Sequence, residues 1–71
     1  MDIGKVIGEL MDARGITLSD LTRLLGYQSK TSIVRVMKNQ ASARALDGFA
    51  KRVGDNLKLT DAEQRRFAEA L

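Results

Sequence analysis

The sequence predicts an all-α domain built from five short helices. Proline is absent and aromatic residues are few, so little interrupts a helix and little favours a sheet, where β-branched and aromatic side chains concentrate. Apolar residues recur at three-and-four spacing in successive segments, the signature of helices with one buried stripe. Ser or Thr precedes most of these segments and Gly follows several, which are start and stop signals.

At 71 residues the chain is expected to form one domain, residues 1–71, with a small core and a modest stability margin. The sequence has no cysteine and no histidine. That removes disulfides, thiolate metal sites, the usual zinc constellations and His-based triads. Asp, Glu, Ser and Lys are present but fall on separate amphipathic faces. No catalytic residue, metal, cofactor or small-molecule site is therefore assigned, and an enzyme is not expected. Met1 to Leu10 lack the basic start and long apolar run of a signal peptide, and no stretch reaches the ~20 apolar residues of a bilayer span. A soluble, cytoplasmic protein without a membrane partner is expected.

The net charge of +3 says less than its distribution. No acid occurs between Asp20 and Asp47, while Arg23, Lys30, Arg35, Lys38 and Arg44 fall in that window. The middle of the chain is predicted to be a basic surface.

Helix one is read from the stripe Ile3, Val6, Ile7, Leu10 and Met11, closed by Arg14-Gly15, a C-terminal cation followed by a residue able to adopt positive φ. Thr17 caps helix two, with Asp20 three positions later as a variant capping box. This helix is expected over about Leu18–Leu25, with Leu18, Leu21, Leu24 and Leu25 on one side and Gly26 at its end. Ser29 caps helix three, whose first turn is Lys30, Thr31 and Ser32 and whose inward residues are Ile33, Val36 and Met37; it should end near Lys38 or Asn39. Ser42 caps helix four, carrying Leu46, Phe49, Ala50, Val53 and Leu57, with Gly54-Asp55-Asn56 as an equally good end. Thr60 and Glu63 form a second capping box opening helix five, which runs through Phe67, Ala68 and Leu71.

Helices two and three, joined through Gly26 by a tight turn, make a helix-turn-helix pattern. Leu21, Leu25, Ile33 and Met37 pack the two together. The outer face of helix three then shows Lys30, Thr31, Val34, Arg35 and Lys38, with no acid. Arg and Lys suit guanine O6 and N7 in the major groove, and a Thr or Val methyl suits the thymine methyl.

The run TLSDLTRLLGYQSKTSIVRVMKN resembles the lambda-repressor-like helix-turn-helix family, of the Cro, phage-repressor and xenobiotic-response-element type. Leu21, Leu25, Gly26 and Ile33 fill that family's pattern positions, Arg14-Gly15-Ile16-Thr17 is similar to its lead into helix two, and LDGFAKRV to its fourth helix. The resemblance implies five helices around one core and a transcriptional regulator, a repressor, that binds double-stranded DNA with its third helix. Three departures stand out. Ile33 follows Gly26 by seven positions instead of six, which lengthens the turn through Tyr27-Gln28-Ser29. Thr22 replaces the usual alanine, so its hydroxyl needs a carbonyl one turn earlier. Leu18 replaces the glutamine that many members place on phosphate, a contact for which Ser19 is the substitute.

Carried over residue by residue, the resemblance implies base contacts from Lys30, Thr31 and Arg35. Gln28, Ser29, Lys38 and Asn39 fall where phosphates are expected, with Arg23 and Arg44 flanking them. Ser19, Tyr27 and Val34 are additional candidates. Tyr27 has two readings, packing across the longer turn or a hydroxyl on phosphate. If the longer turn tilts helix three, Val34 or Lys38 takes the place of one reader. Arg65-Arg66 is read as a solvated face.

A single helix reads few base pairs, so a homodimer is expected, with half-sites roughly 34 Å apart. Phe67 and Leu71 of helix five are its candidate contacts, unless they fold back onto helix one. The resemblance also places the chain in a bacterial or phage-type, nucleoid-associated setting. The competing reading is a protein-interaction module, an antitoxin or adaptor using the same helical fold.

Overall fold

Every helix in this chain is closed by bonds made within a few residues of its own ends. The computed structural model describes residues 2–71. It contains five helices and, among the described residues, no strand: α1 (Ile3–Arg14), α2 (Leu18–Leu24), α3 (Thr31–Met37), α4 (Ala43–Asn56) and α5 (Asp61–Ala70).

The N-termini follow the capping signals. Asp2 accepts from the Gly4 amide at 2.9 Å, and Ser42 from the Ala45 amide at 3.2 Å. Both predicted capping boxes are reciprocal. Thr17 Oγ1 accepts from the Asp20 amide while Asp20 Oδ2 accepts from the Thr17 amide, and Thr60 and Glu63 repeat the arrangement. Each box satisfies two amides that a helix start leaves without an internal partner.

The C-termini of α1, α2 and α3 share one device. Gly15 (φ 63°), Gly26 (φ 76°) and Asn39 (φ 61°) all adopt the left-handed conformation. In each case that residue's amide returns three positions, to Asp12, Arg23 or Val36, and the next amide, of Ile16, Tyr27 or Gln40, returns five. This is the Schellman pattern, which consumes the last carbonyls of the helix as the chain reverses.

Helix α3 begins one residue later than predicted. Lys30 already has helical dihedrals (φ −66°, ψ −20°), and Ser29 Oγ accepts from the Thr31 amide at 3.2 Å. Ser29 therefore acts as the cap although the regular helix is counted from Thr31.

The core comprises Ile3, Val6, Ile7 and Leu10 of α1, Leu21 and Leu25 around α2, Ile33 and Val36 of α3, Phe49, Val53 and Leu57 from α4, and Phe67 of α5. Helix α1 packs against both α5 and α3, and α3 packs against α4. The α1–α3 contact depends on Gly4, where a Cβ would strike the Met37 carbonyl oxygen. Thr22, buried in α2, donates its hydroxyl to the Leu18 carbonyl at 2.8 Å, the partner one turn earlier that its position demands. Arg14 closes the far side, donating to both Glu63 carboxylate oxygens and to the Lys58 carbonyl.

Three sequence expectations need correction. Leu24 does not share the buried stripe of α2 and is 47% exposed; it is turned about 100° from Leu25, the residue that continues the stripe of Leu21. Phe67, a candidate dimer contact, is instead buried, with its ring 6.0 Å from that of Phe49. Leu71 stays exposed. Arg66 is not simply solvated, because it pairs with Glu9 across α1 and α5.

Candidate nucleic-acid interface

The acid-free segment from Leu21 to Leu46 runs through the end of α2, the connection, all of α3 and the start of α4. Its apolar residues turn inward at Leu21, Leu25, Ile33 and Val36, all at 3% exposure or less. Apart from Leu24 and the small Ala43 and Ala45, the side chains left exposed are polar or cationic.

On α3, Thr31, Arg35 and Lys38 are exposed and Val34 is half-buried. At about 100° per residue these four positions span an arc of about 100°, opposite the arc that carries Ile33 and Val36. Lys30, also exposed, lies beside this face at the start of the helix. Gln28 and Ser29 are exposed just before it and Asn39 just after. Arg44 is exposed in the first turn of α4, and Ser19 in the first turn of α2. Of the residues singled out as base and phosphate contacts, Gln28, Ser29, Lys30, Thr31, Arg35, Lys38 and Asn39 are thus on α3 or at its two ends, while Arg23 and Arg44 are on α2 and α4.

These cations differ in their partners. Arg14, Arg23 and Arg66 form ion pairs within the chain. Among the described residues, Lys30, Arg35, Lys38 and Arg44 have no carboxylate partner. Arg23 reaches Asp20 Oδ1 at 2.7 Å with its side chain 79% exposed. Asp20 is held below the usual carboxylate range, chiefly by the Thr17 backbone amide and hydroxyl and then by Arg23. Water screens an exposed pair of this kind, so Arg23 can exchange Asp20 for another anion at little cost.

The connection between α2 and α3 contains Tyr27. Its ring stacks on Phe49, with centroids 6.4 Å apart and planes 19° apart, and the Arg52 guanidinium lies 4.6 Å from the ring centre. The ring therefore packs across the turn. Burial raises the phenol above its ordinary value, against the opposing effect of the Arg52 charge.

Arg52 itself was missed in the sequence, because it lies beyond Asp47 and outside the acid-free window. Its Nη1 donates to the Leu25 carbonyl at 2.7 Å. The signal was its spacing: Arg52 stands three residues after the core aromatic Phe49, so both project from one side of α4. Ser32 and Ser42 were read only as helix-start residues, and Gln40 was not singled out. With Arg35 and Arg52 they line a groove of about 500 Å³ between α3 and α4.

Among the described residues, no helix is long and apolar enough to cross a membrane. Compared with protein-family models, curated proteins and solved structures, the chain finds no match in any of the three.

Proposed function

We propose that this protein is a sequence-specific double-stranded DNA-binding regulator of lambda-repressor-like arrangement, in which α2 and α3 act as a helix-turn-helix and α3 enters the major groove. One observation carries the reading. Helix α3 buries Ile33 and Val36 almost completely while Thr31, Arg35 and Lys38 stay exposed, inside a segment with no carboxylate to repel a phosphate backbone.

In this reading Lys30, Thr31 and Arg35 contact base edges. Gln28, Ser29, Lys38, Asn39, Arg23 and Arg44 hold phosphates, which fix register and orientation without carrying sequence information. Tyr27 supports the turn, while Ser19 and Val34 lie at the margins of the contact. The body measures 27 × 23 × 20 Å along its principal axes, less than the roughly 34 Å between successive major-groove faces. One copy then covers one half-site, and a two-fold dimer covers an operator. With Phe67 committed to the core, Leu71 is the apolar residue of α5 left for such a contact. Repression by occupying the site is the mode that asks for nothing beyond binding.

Selection of binding sites from a pool of random DNA tests the reading. The wild-type protein is expected to enrich one sequence, and Arg35→Ala to relax preference at one position; wild-type protein that enriches nothing would sink the proposal.

A further inference from the structure

We propose that Arg52 is the positioning residue that sets the angle between α2 and α3, and with it the presentation of the α3 outer face. The inference rests on the DNA-binding reading for its functional consequence, but not for its mechanical part.

The connection between the two helices has few ties of its own. After the Schellman bonds of Gly26 and Tyr27, its remaining bond is the short one between Ser29 Oγ and the Thr31 amide. Gln28, Ser29 and Lys30 are exposed. Helix α4 supplies what the connection lacks. Arg52 donates to the carbonyl of Leu25, the residue that ends α2, across 27 positions of sequence. A cation is electrostatically favoured there, because the carbonyls at a helix C-terminus carry the negative end of its dipole.

The same guanidinium lies over the Tyr27 ring, which also stacks on Phe49. Phe49 in turn packs on Phe67. Two side chains of α4, three residues apart, therefore hold the turn, and an aromatic column ties it through the core to α5. Even the crowding fits: a Cβ on Gly26 would come within 3.2 Å of Arg52 Nη1. Arg35 lines the groove that Arg52 also lines, so a displaced Arg52 changes the surroundings of a proposed base reader directly.

Arginine suits this place because a planar guanidinium can donate in its plane and stack through its face at once. A lysine ammonium, a point charge, cannot do both. This separates positioning from phosphate binding, for which either cation serves.

Two measurements on Arg52→Gln and Arg52→Lys test the inference. The first is amide hydrogen exchange of the free protein. Both variants are expected to speed exchange at Gly26 and Tyr27 by about tenfold, the scale of losing a hydrogen bond to a charged group, with α1 and α5 amides unchanged. The second compares affinity for the selected site with affinity for random DNA. Both variants are expected to lose about tenfold in that ratio, the discrimination of roughly one base pair, with an unaltered salt slope.

Unchanged exchange at Gly26 and Tyr27 overturns the inference whatever happens on DNA. Rescue by Arg52→Lys, a retained affinity ratio, or a uniform loss with a shallower salt slope overturns its functional part and makes Arg52 an ordinary surface or phosphate contact. Wild-type protein that selects no sequence removes the DNA-binding reading and with it that functional part; the exchange data then decide the mechanical part alone.

Discussion

Arg14 grips Glu63 through both guanidinium nitrogens, Nη1 to Oε2 at 2.6 Å and Nη2 to Oε1 at 3.1 Å, joining the last turn of α1 to the first turn of α5. The same carboxylate caps α5 through the Thr60 amide. One side chain thus closes a helix and a tertiary contact together. The Arg14 bond, followed by that amide, pulls the Glu63 carboxyl down to about 2 from 4.5.

The sign of the pH dependence follows from that shift. Because the folded value lies below the unfolded one, the ionised pair stabilises the protein fully above about 4.5 and loses its contribution as pH falls through about 2. Glu63→Gln should keep the cap but lose the ion pair, costing about 1 kcal/mol at neutral pH after solvent screening. Glu63→Ala should cost about 2 kcal/mol, because the cap goes too. Urea unfolding at neutral and acidic pH checks both, and the Glu63→Gln difference should shrink in acid.

Gly4 and Gly8 stand one turn apart in α1 and should respond oppositely to alanine. At Gly4 the added methyl meets the Met37 backbone carbonyl, which cannot swing aside as a side chain would. Gly4→Ala is expected to cost about 1–3 kcal/mol despite the better helix propensity of alanine. At Gly8 a Cβ meets nothing within 4 Å, and Gly8→Ala should gain about 0.5–1 kcal/mol. Thermal unfolding of the two variants decides the matter.

Asn39 holds the left-handed position that ends α3. Asn39→Gly should leave stability within about 0.5 kcal/mol of wild type, whereas Asn39→Val should cost about 1–2 kcal/mol from the clash of its Cβ with the backbone. If Asn39 also touches phosphate, Asn39→Gly weakens DNA binding without a matching loss of stability. Denaturation and binding measured on the same samples separate the two roles.

Salt dependence addresses the cation set as a whole. If about four cations in each subunit meet phosphates, a dimer neutralises about eight, and the log–log slope of affinity against salt should be near −7. Lys38→Ala should weaken all sequences alike and make the slope shallower by about 2, roughly 0.9 from each subunit. Arg35→Ala, as a base reader, should act mainly on preference.

Much of the fold was legible because its signals are local. Thr17 with Asp20, Ser42, and Thr60 with Glu63 marked helix starts, and Gly15 and Gly26 marked ends, since each acts through bonds to its near neighbours. The third end was placed near Lys38 or Asn39, but Asn39 itself was read as a phosphate contact and not as the left-handed residue that closes the helix. Asparagine adopts positive φ less often than glycine, and its side chain invites a functional reading. Contacts between elements were harder to see. Nothing in the sequence near Gly4 announces Met37, and nothing near Arg52 announces Leu25, because both relationships exist only once α1 and α4 have docked. Phe67 was ambiguous for a similar reason: an apolar stripe shows that a face is covered but not by what.

The same principle applies to the candidate interface. Exposure of Lys30, Thr31, Arg35 and Lys38 follows from the inward anchors Ile33 and Val36 and the helical repeat. The start of α3 at Thr31, and the contacts that Arg52 and Phe49 of α4 make with Leu25 and Tyr27, are encoded by no local pattern.

The ring of Tyr27 has one further consequence. It is the one tyrosine of a chain that contains no tryptophan, and it stands at the joint between α2 and α3. The protein therefore carries a built-in optical reporter at that joint. Its tyrosine emission comes from a ring held beside Arg52 and Phe49, so changes in that emission, or in the aromatic circular dichroism shared with Phe49 and Phe67, can be followed without attaching a dye. Movement of the turn, whether on unfolding, on substitution of Arg52 or on meeting a ligand, can be recorded from the unlabelled chain.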